Sequence, residues 1–331
     1  MGDSVNIMVT GGAGFIGSHF CNLILNSYPA DKILVVDKGT YAADFNFLRN
    51  LSLQFSNRLF IRKADINQSD LIAEWVDVFK IDTIVNFAAE SHVDNSIADV
   101  EPFLMSNVNG TVRLLEVARQ KGISRFIQIS TDEVYGDSHL NGKHFTEDSP
   151  LRPSSPYAAS KAAADMMVLA NHRTYGQDVC ITRSANNYGT RQYPEKLIPK
   201  IIKRAVADQL VPIYGVGNNC RSWLSVEDNC RAIDLVLREG QSGKVYNVPG
   251  NQSVSNLELV TQILKRLNKP ASLIKHVADR PGHDLNYLIT GQPIELMGWQ
   301  ASHNIMSDLS DLVDWYTGNY SWLEQRKVGK Q

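Results

Sequence analysis

The stretch VNIMVTGGAGFIG, residues 5–17, decides the fold of this chain. It begins with a short apolar run, Val5–Thr10, of the kind that forms a buried strand. Three glycines at intervals of three residues, Gly11, Gly14 and Gly17, follow the run, and an apolar stretch with helical character comes next. A strand that passes through a glycine-rich turn into a helix predicts the first unit of a doubly wound α/β sheet.

Strands and helices alternate through the rest of the first half. Further strands are predicted at Ile33–Asp37, Leu59–Asp65, Thr83–Ala88 and Arg125–Ser130. Helices are predicted at Gln68–Phe79, Pro102–Lys121, Tyr157–Tyr175, Glu195–Asp208, Val226–Glu239, Asn256–Leu267 and Asp308–Leu323. This order predicts a Rossmann-type parallel sheet with helices on both faces, plus a smaller C-terminal α/β lobe. We expect a first domain at 1–188 and mainly a second lobe at 189–331, with the chain crossing back between them.

The composition is that of an ordinary globular protein. The chain has 331 residues, 43% of them hydrophobic, and a formal net charge of −2, which disfavours nucleic acid or an anionic membrane as partner. The sequence has neither a membrane-length apolar run nor a signal-peptide layout, and we expect a cytoplasmic protein. Four scattered cysteines, without a Cys-x-x-Cys motif, predict neither disulfides nor a metal site.

The glycine spacing indicates a dinucleotide site, because backbone amides at the helix start would face a pyrophosphate. Asp37 ends the second strand, 20 residues after Gly17. Its carboxylate would accept from a ribose and repel a 2′-phosphate, which favours NAD over NADP. Lys38 argues in the other direction, since a cation tolerates that phosphate. Asp65 and Ile66 are expected beside the adenine, although a solvated turn also explains Asp65.

Tyr157 and Lys161 are four residues apart on a predicted helix, so their side chains share one face. The lysine ammonium would favour the phenolate and lower the tyrosine pKa from its usual value of about 10. Such a phenolate can take a proton from an alcohol while hydride leaves the same carbon. By itself the pair is also typical of a solvated helix surface.

Asp132 and Glu133 follow the strand at Arg125–Ile129, and strand ends are where ligands bind in open α/β sheets. Adjacent carboxylates are commonly a solvated loop pair. Beside a nicotinamide and a basic tyrosine, however, one carboxyl can remove a carbon-bound proton while the other protonates a leaving group. Those groups are what elimination of water next to a new ketone requires.

The Gly-x-x-Gly-x-x-Gly loop resembles that of the short-chain dehydrogenase/reductase superfamily. Over nearly its whole length the chain resembles the dTDP-glucose 4,6-dehydratases, an extended family within it. Thr131-Asp132-Glu133 distinguishes that family from sugar 4-epimerases and UDP-glucuronate decarboxylases. The matching segments are Thr10–Gly17, Asp37–Tyr41, Ala88–Asp94, Thr131–Gly136, Tyr157–Lys161, Asn186–Gly189, Tyr193–Pro199, Pro212–Gly215 and Asp279–Asp284.

The resemblance implies a role for each catalytic group. Tyr157 takes the proton from the sugar C4 hydroxyl as hydride passes to NAD, while Thr131 holds that oxygen and Lys161 orients the ribose. Glu133 then removes the C5 proton, and Asp132 protonates the C6 hydroxyl so that it leaves as water. NADH finally returns its hydride to C6, and a proton goes back to C5.

The resemblance also implies binding residues and a homodimer. The dimer would form through the helices at Pro102–Lys121 and Tyr157–Tyr175. Arg221 is expected at the substrate diphosphate. The expected cofactor contacts are Gly11, Gly14, Phe15, Ile16, Gly17, Asp37, Lys38, Thr40, Asp65, Ile66, Ala88, Ala89, Ser91, Ser106, Tyr157, Lys161 and Asn187. The expected substrate contacts are His92, Thr131, Asn186, Lys196, Leu197, Pro212, Tyr214, Arg221, Asn256, Arg280 and His283.

Several substrate-side positions depart from the family pattern. They are Asn95, Gly189-Thr190-Arg191, Trp223-Leu224-Ser225, Asn229 and Leu285-Asn286. Because none of them replaces a proposed catalytic group, they leave the reaction in place and the nucleobase open between dTDP-glucose and UDP-glucose. The alternatives are a 4-epimerase, a UDP-glucuronate decarboxylase, or a catalytically silent NAD-binding regulatory protein.

Overall fold

The computed structural model describes residues 4–140 and 144–326. Its strands are β1 (Asn6–Thr10), β2 (Lys32–Asp37), β3 (Leu59–Lys63), β4 (Thr83–Asn86), β5 (Arg125–Thr131), β6 (Val179–Ser184), β7 (Asn186–Tyr188), β8 (Val211–Tyr214), β9 (Cys220–Ser225), β10 (Lys244–Val248), β11 (Gln252–Ser255), β12 (Ile274–Val277) and β13 (Asn286–Tyr287). Its α-helices are α1 (Phe15–Ser27), α2 (Phe45–Gln54), α3 (Ser69–Phe79), α4 (Val93–Ala98), α5 (Glu101–Phe103), α6 (Gly110–Gln120), α7 (Pro156–Tyr175), α8 (Leu197–Val206), α9 (Val226–Glu239), α10 (Asn256–Arg266), α11 (Gln292–Leu296), α12 (Ile305–Gly318) and α13 (Tyr320–Glu324).

Seven parallel strands form the main sheet, in the order β10-β6-β5-β4-β1-β2-β3. The order reverses at β1, where β2 lies on one side and β4 on the other. In open α/β sheets, the crevice beyond the carboxyl ends of the strands at such a reversal is where ligands bind. The glycine loop follows β1, and Ala88 lies just after β4, so this crevice contains the predicted dinucleotide site. The parallel Rossmann-type sheet predicted from the sequence is therefore confirmed.

The second half of the chain forms a smaller α/β lobe. Here β11, β9 and β13 form a sheet that β7 joins through β9, and β12 pairs with β8. Helices α8, α10 and α12 bury a separate apolar cluster that includes Ile202, Val260 and Tyr316. One segment of this half, β10, returns to the edge of the main sheet beside β6.

Several predicted bounds were wrong. The strand predicted at Leu59–Asp65 ends at Lys63, and Thr83–Ala88 ends at Asn86. The single helix expected at Pro102–Lys121 is interrupted by a π-helical turn, Leu104–Asn109, whose buried Asn107 side chain bonds both backbone groups of Glu90 (2.8 and 3.0 Å). The last predicted helix is two helices, α12 and α13. Among the described residues, we find no helix with the length and apolarity that a bilayer crossing needs.

Candidate active site

The glycine loop is packed so closely that a side chain would not fit at Gly11 or Gly17. Gly11 has a φ of +67°, and a Cβ there would lie 2.6 Å from the Ala88 backbone nitrogen. A Cβ on Gly17 would lie 2.7 Å from the Gly11 carbonyl oxygen. This packing brings the start of α1 against β4 and leaves room at the turn for the backbone to approach a pyrophosphate.

Asp37 is buried at the end of β2 and fixed by the adjacent backbone. Its two carboxylate oxygens accept hydrogen bonds from the amides of Ala13 (3.0 Å) and Gly39 (2.8 Å). Burial raises the pKa of Asp37, while these two bonds lower it. Lys38 lies 3.7 Å from Asp65 and 3.9 Å from Glu90. Because these two carboxylates balance the positive charge of Lys38, this residue is a weaker indication that the site accepts the 2′-phosphate of NADP.

A cavity of about 300 Å³ extends from the glycine loop to the ends of β5 and β6. All of the residues predicted to contact the cofactor line it, from Gly11 to Asn187. The predicted catalytic residues Thr131, Asp132, Glu133, Tyr157 and Lys161 line the same cavity, and so do Asn186 and Lys196. The structure therefore brings together residues that are more than 180 positions apart in the sequence.

The acid pair begins a 3-10 turn, Asp132–Tyr135, directly after β5. Thr131 caps the turn: its hydroxyl accepts from the Glu133 amide (3.3 Å) and donates to the Asp132 carboxylate (3.2 Å). Burial, followed by the charge of Glu133, raises the pKa of Asp132 well above its ordinary value. Burial also raises the pKa of Glu133, but Arg280, Arg221 and Lys196 oppose that rise. One oxygen of each carboxyl is buried without a hydrogen-bond partner, so both can bind a ligand.

Tyr157 and Lys161 are both buried in the first turns of α7, and Lys161 is only 4% exposed. The solvated-surface interpretation of this pair was therefore wrong. The expected pKa direction for Tyr157 was also wrong: burial, followed by the charge of Glu133, raises its pKa in this structure. The Lys161 ammonium donates to the Ile129 carbonyl oxygen (2.5 Å), and burial lowers its pKa to about 8.

The other predicted substrate residues lie beside the cavity or in the second lobe. Lys196 connects the two lobes by donating to the Ser91 carbonyl oxygen (2.7 Å). Asp94 accepts from Tyr214 (3.0 Å) and pairs with Arg280 (3.4 Å). The His283 ring packs edge-on against Tyr214, with 5.7 Å between ring centroids. The structure places His92 at the start of α4, Leu197 at the start of α8, Pro212 in β8 and Asn256 at the start of α10.

Arg221 is more constrained than its predicted role requires. Its guanidinium is buried and donates to the carbonyl oxygens of Cys220, Asp284 and Leu285 at 2.8–3.0 Å. It also lies 4.5 Å from the centroid of the Tyr287 ring. Its positive charge opposes the rise that burial causes in the pKa values of Asp132 and Glu133.

Sequence reasoning assigned no role to four polar residues that line the cavity: Glu90, Gln192, Tyr193 and Glu195. Three of them lie inside segments quoted for the resemblance, so membership of a matching segment was the available signal. Tyr193 packs edge-on against Tyr41 (5.3 Å between centroids) where the cavity meets the loop after β2.

A glycine loop between β1 and α1, an acidic residue ending β2, and a buried tyrosine–lysine pair on α7 together define an enzyme of the short-chain dehydrogenase/reductase class. The family described as GDP-mannose 4,6 dehydratase matches residues 8–311, and the chain belongs to that family.

Three related proteins are similar to this chain over most of its length. The low-salt glycan biosynthesis protein Agl12 of Haloferax volcanii is 45% identical over 95% of this chain and 99% of its own length. A dTDP-glucose 4,6-dehydratase of Streptomyces niveus is 44% identical over 98% and 96%. A trifunctional protein of Arabidopsis thaliana with UDP-glucose 4,6-dehydratase in its name is 42% identical over 96% of this chain and 48% of its own length.

A solved structure has the same fold. It is DesIV, a dTDP-glucose 4,6-dehydratase of Streptomyces venezuelae with NAD bound. It superposes with a TM-score of 0.93 at 43% identity and covers 98% of this chain and 100% of its own.

Proposed function

We propose that this protein is an NAD-dependent nucleotide-sugar 4,6-dehydratase, a hydro-lyase that converts dTDP-glucose to dTDP-4-keto-6-deoxyglucose. The observation that carries the proposal is the pair Asp132 and Glu133, which lines the same cavity as Tyr157, Lys161 and the glycine loop. A simple alcohol oxidation would need the tyrosine and lysine alone. The names of the relatives from Streptomyces niveus and Streptomyces venezuelae agree with this reading.

The residues of the chain perform the proton transfers. Tyr157 accepts the C4 hydroxyl proton in its ionised form, which its hydrogen bond with Thr131 favours against the effect of burial, and Thr131 holds the C4 oxygen. The glycine loop and Asp37 would hold NAD, which would supply a hydride acceptor for C4 and, once reduced, a hydride donor for C6. Glu133, whose charge Arg280, Arg221 and Lys196 favour, removes the C5 proton made acidic by the 4-ketone. Burial raises the pKa of Asp132 well above its ordinary value, which favours the protonated form that protonates the departing C6 hydroxyl. A proton goes back to C5 as the hydride reaches C6.

The proposed binding roles follow the two lobes. In this proposal the Rossmann domain, 1–188, binds the dinucleotide, and 189–331 mainly bind the nucleotide sugar. The buried, unpartnered oxygen of Asn256 and the unpartnered Nε of Arg280 support the second role, because buried polar atoms of this kind require a ligand or water. Asn186, whose side-chain oxygen is also buried and unpartnered, lies in β7, which pairs with β9 of the second lobe. Lys196, at the junction, would join the sugar to the Ser91 segment.

UDP-glucose is the second candidate substrate. The Arabidopsis thaliana relative, whose name includes UDP-glucose 4,6-dehydratase activity, is about as similar to this chain as the dTDP-glucose enzymes are. Leu285 and Asn286 lie in the substrate-side segment, where the family usually has arginines. Both sugars therefore belong in the first assay.

The proposed assembly is a cytoplasmic homodimer. Helices α4, α5 and α7 and the π-helical turn pack together. With the connection between α4 and α5, they carry six exposed apolar side chains: Ile97, Val100, Leu104, Met105, Met166 and Met167. A patch of this kind on contacting helices is what a second copy would cover.

The test is product identification after incubation with dTDP-glucose and, separately, UDP-glucose. We expect a 4-keto-6-deoxy sugar nucleotide, recognised by its near-ultraviolet absorbance in alkali. Appearance of the 4-epimer with neither sugar dehydrated would refute the dehydratase proposal. A side-by-side comparison of initial rates decides between the two nucleobases.

A further inference from the structure

The loop between β2 and α2 forms one wall of the cavity and is fixed through Asp44. Thr40, Ala42 and Ala43 line the cavity on the side of Asp37, where the adenosine ribose is expected. The Asp44 amide donates to the Ala13 carbonyl oxygen of the glycine loop (2.7 Å). The position of Asp44 therefore sets the distance between this loop and the glycine loop.

The carboxylate of Asp44 is bound by the end of the second lobe. One of its oxygens accepts from Trp322 Nε1 (2.9 Å) and from the Arg326 guanidinium (2.8 Å). The Arg326 guanidinium lies 3.8 Å from the Trp322 ring centroid and also donates to the Trp322 carbonyl oxygen (2.9 Å). The side chains of Arg326 and Asp44 are only 18% and 13% exposed. Hydrogen bonds between ionised groups are stronger than neutral ones, and limited exposure reduces screening by solvent.

A second contact involves Arg191, one of the departures from the family pattern. Its guanidinium lies 3.4 Å from the centroid of the Phe47 ring at the start of α2 and 3.2 Å from His19 Nε2 on α1. Burial, with the adjacent Arg191 charge, lowers the pKa of His19 to about 3, so the ring is neutral. Tyr316 of α12 holds the turn that carries Arg191 by donating to the Gly189 carbonyl oxygen (2.9 Å).

We propose that Asp44 is a positioning residue for cofactor retention. Trp322 and Arg326 hold its carboxylate, which keeps the loop at 38–44 closed over the adenosine half of the dinucleotide. The last helix of the second lobe thereby sets how tightly the first domain retains NAD. The inference rests on the proposed function, since it takes NAD as the occupant of the cavity.

The test is NAD binding to the full-length Arg326→Met variant, which removes the charge and keeps the length of the side chain. We expect the NAD dissociation constant from equilibrium dialysis to rise about tenfold, the usual loss when a charged hydrogen bond is broken. At saturating NAD and sugar nucleotide, kcat should stay at the wild-type value. Trp322→Phe should shift the constant in the same direction, and Arg326→Lys should restore part of the affinity.

The matched control is Arg266→Met, which breaks the exposed Arg266–Asp314 pair in the same lobe, away from the loop. It should bind NAD as the wild type does. Equal NAD affinity in wild type, Arg326→Met and Trp322→Phe would overturn this inference and leave the proposed function standing. A wild-type protein that binds no NAD would instead refute the proposed function.

Discussion

Asp132 and Glu133 are neighbours in the sequence, yet their surroundings differ. Burial, followed by the charge of Glu133, raises the pKa of Asp132, which is 2% exposed. Burial also raises the pKa of Glu133, but three nearby cations oppose that rise. When one proton is shared by two such groups, it stays on the carboxyl whose charged form is less favoured. This difference supports the proposed acid role of Asp132 and the proposed base role of Glu133.

Glu133→Gln should stop the exchange of the C5 proton with solvent while leaving NAD binding intact. The amide cannot accept the proton, and loss of a general base typically costs at least about 100-fold. The measurement is deuterium incorporation at C5 by NMR in heavy water. Normal exchange in this variant would remove Glu133 from its role.

Asp132→Asn should give the complementary result. Its side-chain oxygen can still accept from Thr131, but the amide cannot protonate the leaving hydroxyl, so dehydration should slow by about 100-fold. C5 exchange should persist, because Glu133 is unchanged. If C5 exchange fell together with product formation, the division of labour between the two carboxyls would be wrong.

Lys161 predicts the alkaline limit of activity. Burial lowers its pKa to about 8, so the ammonium is present below that pH and is lost as the pH rises through it. Because the proposed role of the ammonium is to orient the cofactor ribose, we expect kcat/KM to decline above about pH 8. The Lys161→Met variant should have low activity, and its kcat/KM should not decline above about pH 8. If the decline above about pH 8 persisted in the variant, the titration of another group, such as Asp132, would cause it.

At the scale of elements, the glycine loop makes the sharpest prediction. Gly17→Ala would place a Cβ 2.7 Å from the Gly11 carbonyl oxygen and push the loop away from the start of α1. We expect the NAD dissociation constant to rise at least about tenfold, in line with the usual cost of overpacking. Gly318→Ala is the control, because a Cβ there meets nothing within 4 Å. Equal NAD affinity in both variants would contradict the proposed role of the loop.

The pattern of apolar residues and glycines predicted those helices and strands that short stretches of sequence determine. The strand, glycine turn and helix at the start of the chain, and the helix α9, were all present in the periodicity. No prediction covered β6 or β10, which complete the far edge of the sheet. Their pairing joins segments more than 60 residues apart, and such contacts leave no local signal. The π-helical turn was also missed, and its hydrogen bonds from Asn107 to the backbone of Glu90 join residues 17 positions apart.

At the scale of the whole molecule, the proposed dimer can be tested through its exposed apolar patch. Met105→Glu and Met166→Glu place charges on the π-helical turn and on α7, where 45% and 51% of the two side chains are exposed. If a second copy covers this surface, each variant should shift toward monomer in size-exclusion chromatography with light scattering. Leu53→Glu, at an exposed position on α2, should leave the assembly unchanged. A wild-type monomer would refute the proposed dimer.

Part of the cofactor side was predictable from local pattern, because Gly11, Gly14 and Gly17 form the glycine loop and Asp37 ends a strand. Other expected cofactor contacts, such as Ser106 in the π-helical turn and Asn187 in β7, came only from the resemblance. The substrate side was available only by resemblance. Nothing in the sequence indicates that Asp94 meets Tyr214 and Arg280, which follow it by 120 and 186 positions. The attachment of Asp44 to Trp322 and Arg326 is likewise a product of tertiary structure alone.

The most direct test of the central claim follows the hydrogen at C4. With dTDP-glucose deuterated at C4, an oxidation followed by elimination and hydride return within one active site predicts deuterium at C6 of the 4-keto-6-deoxy product. NMR of the isolated product locates the label. Deuterium retained at C4 of an epimer, or a product without label at C6, would contradict the account.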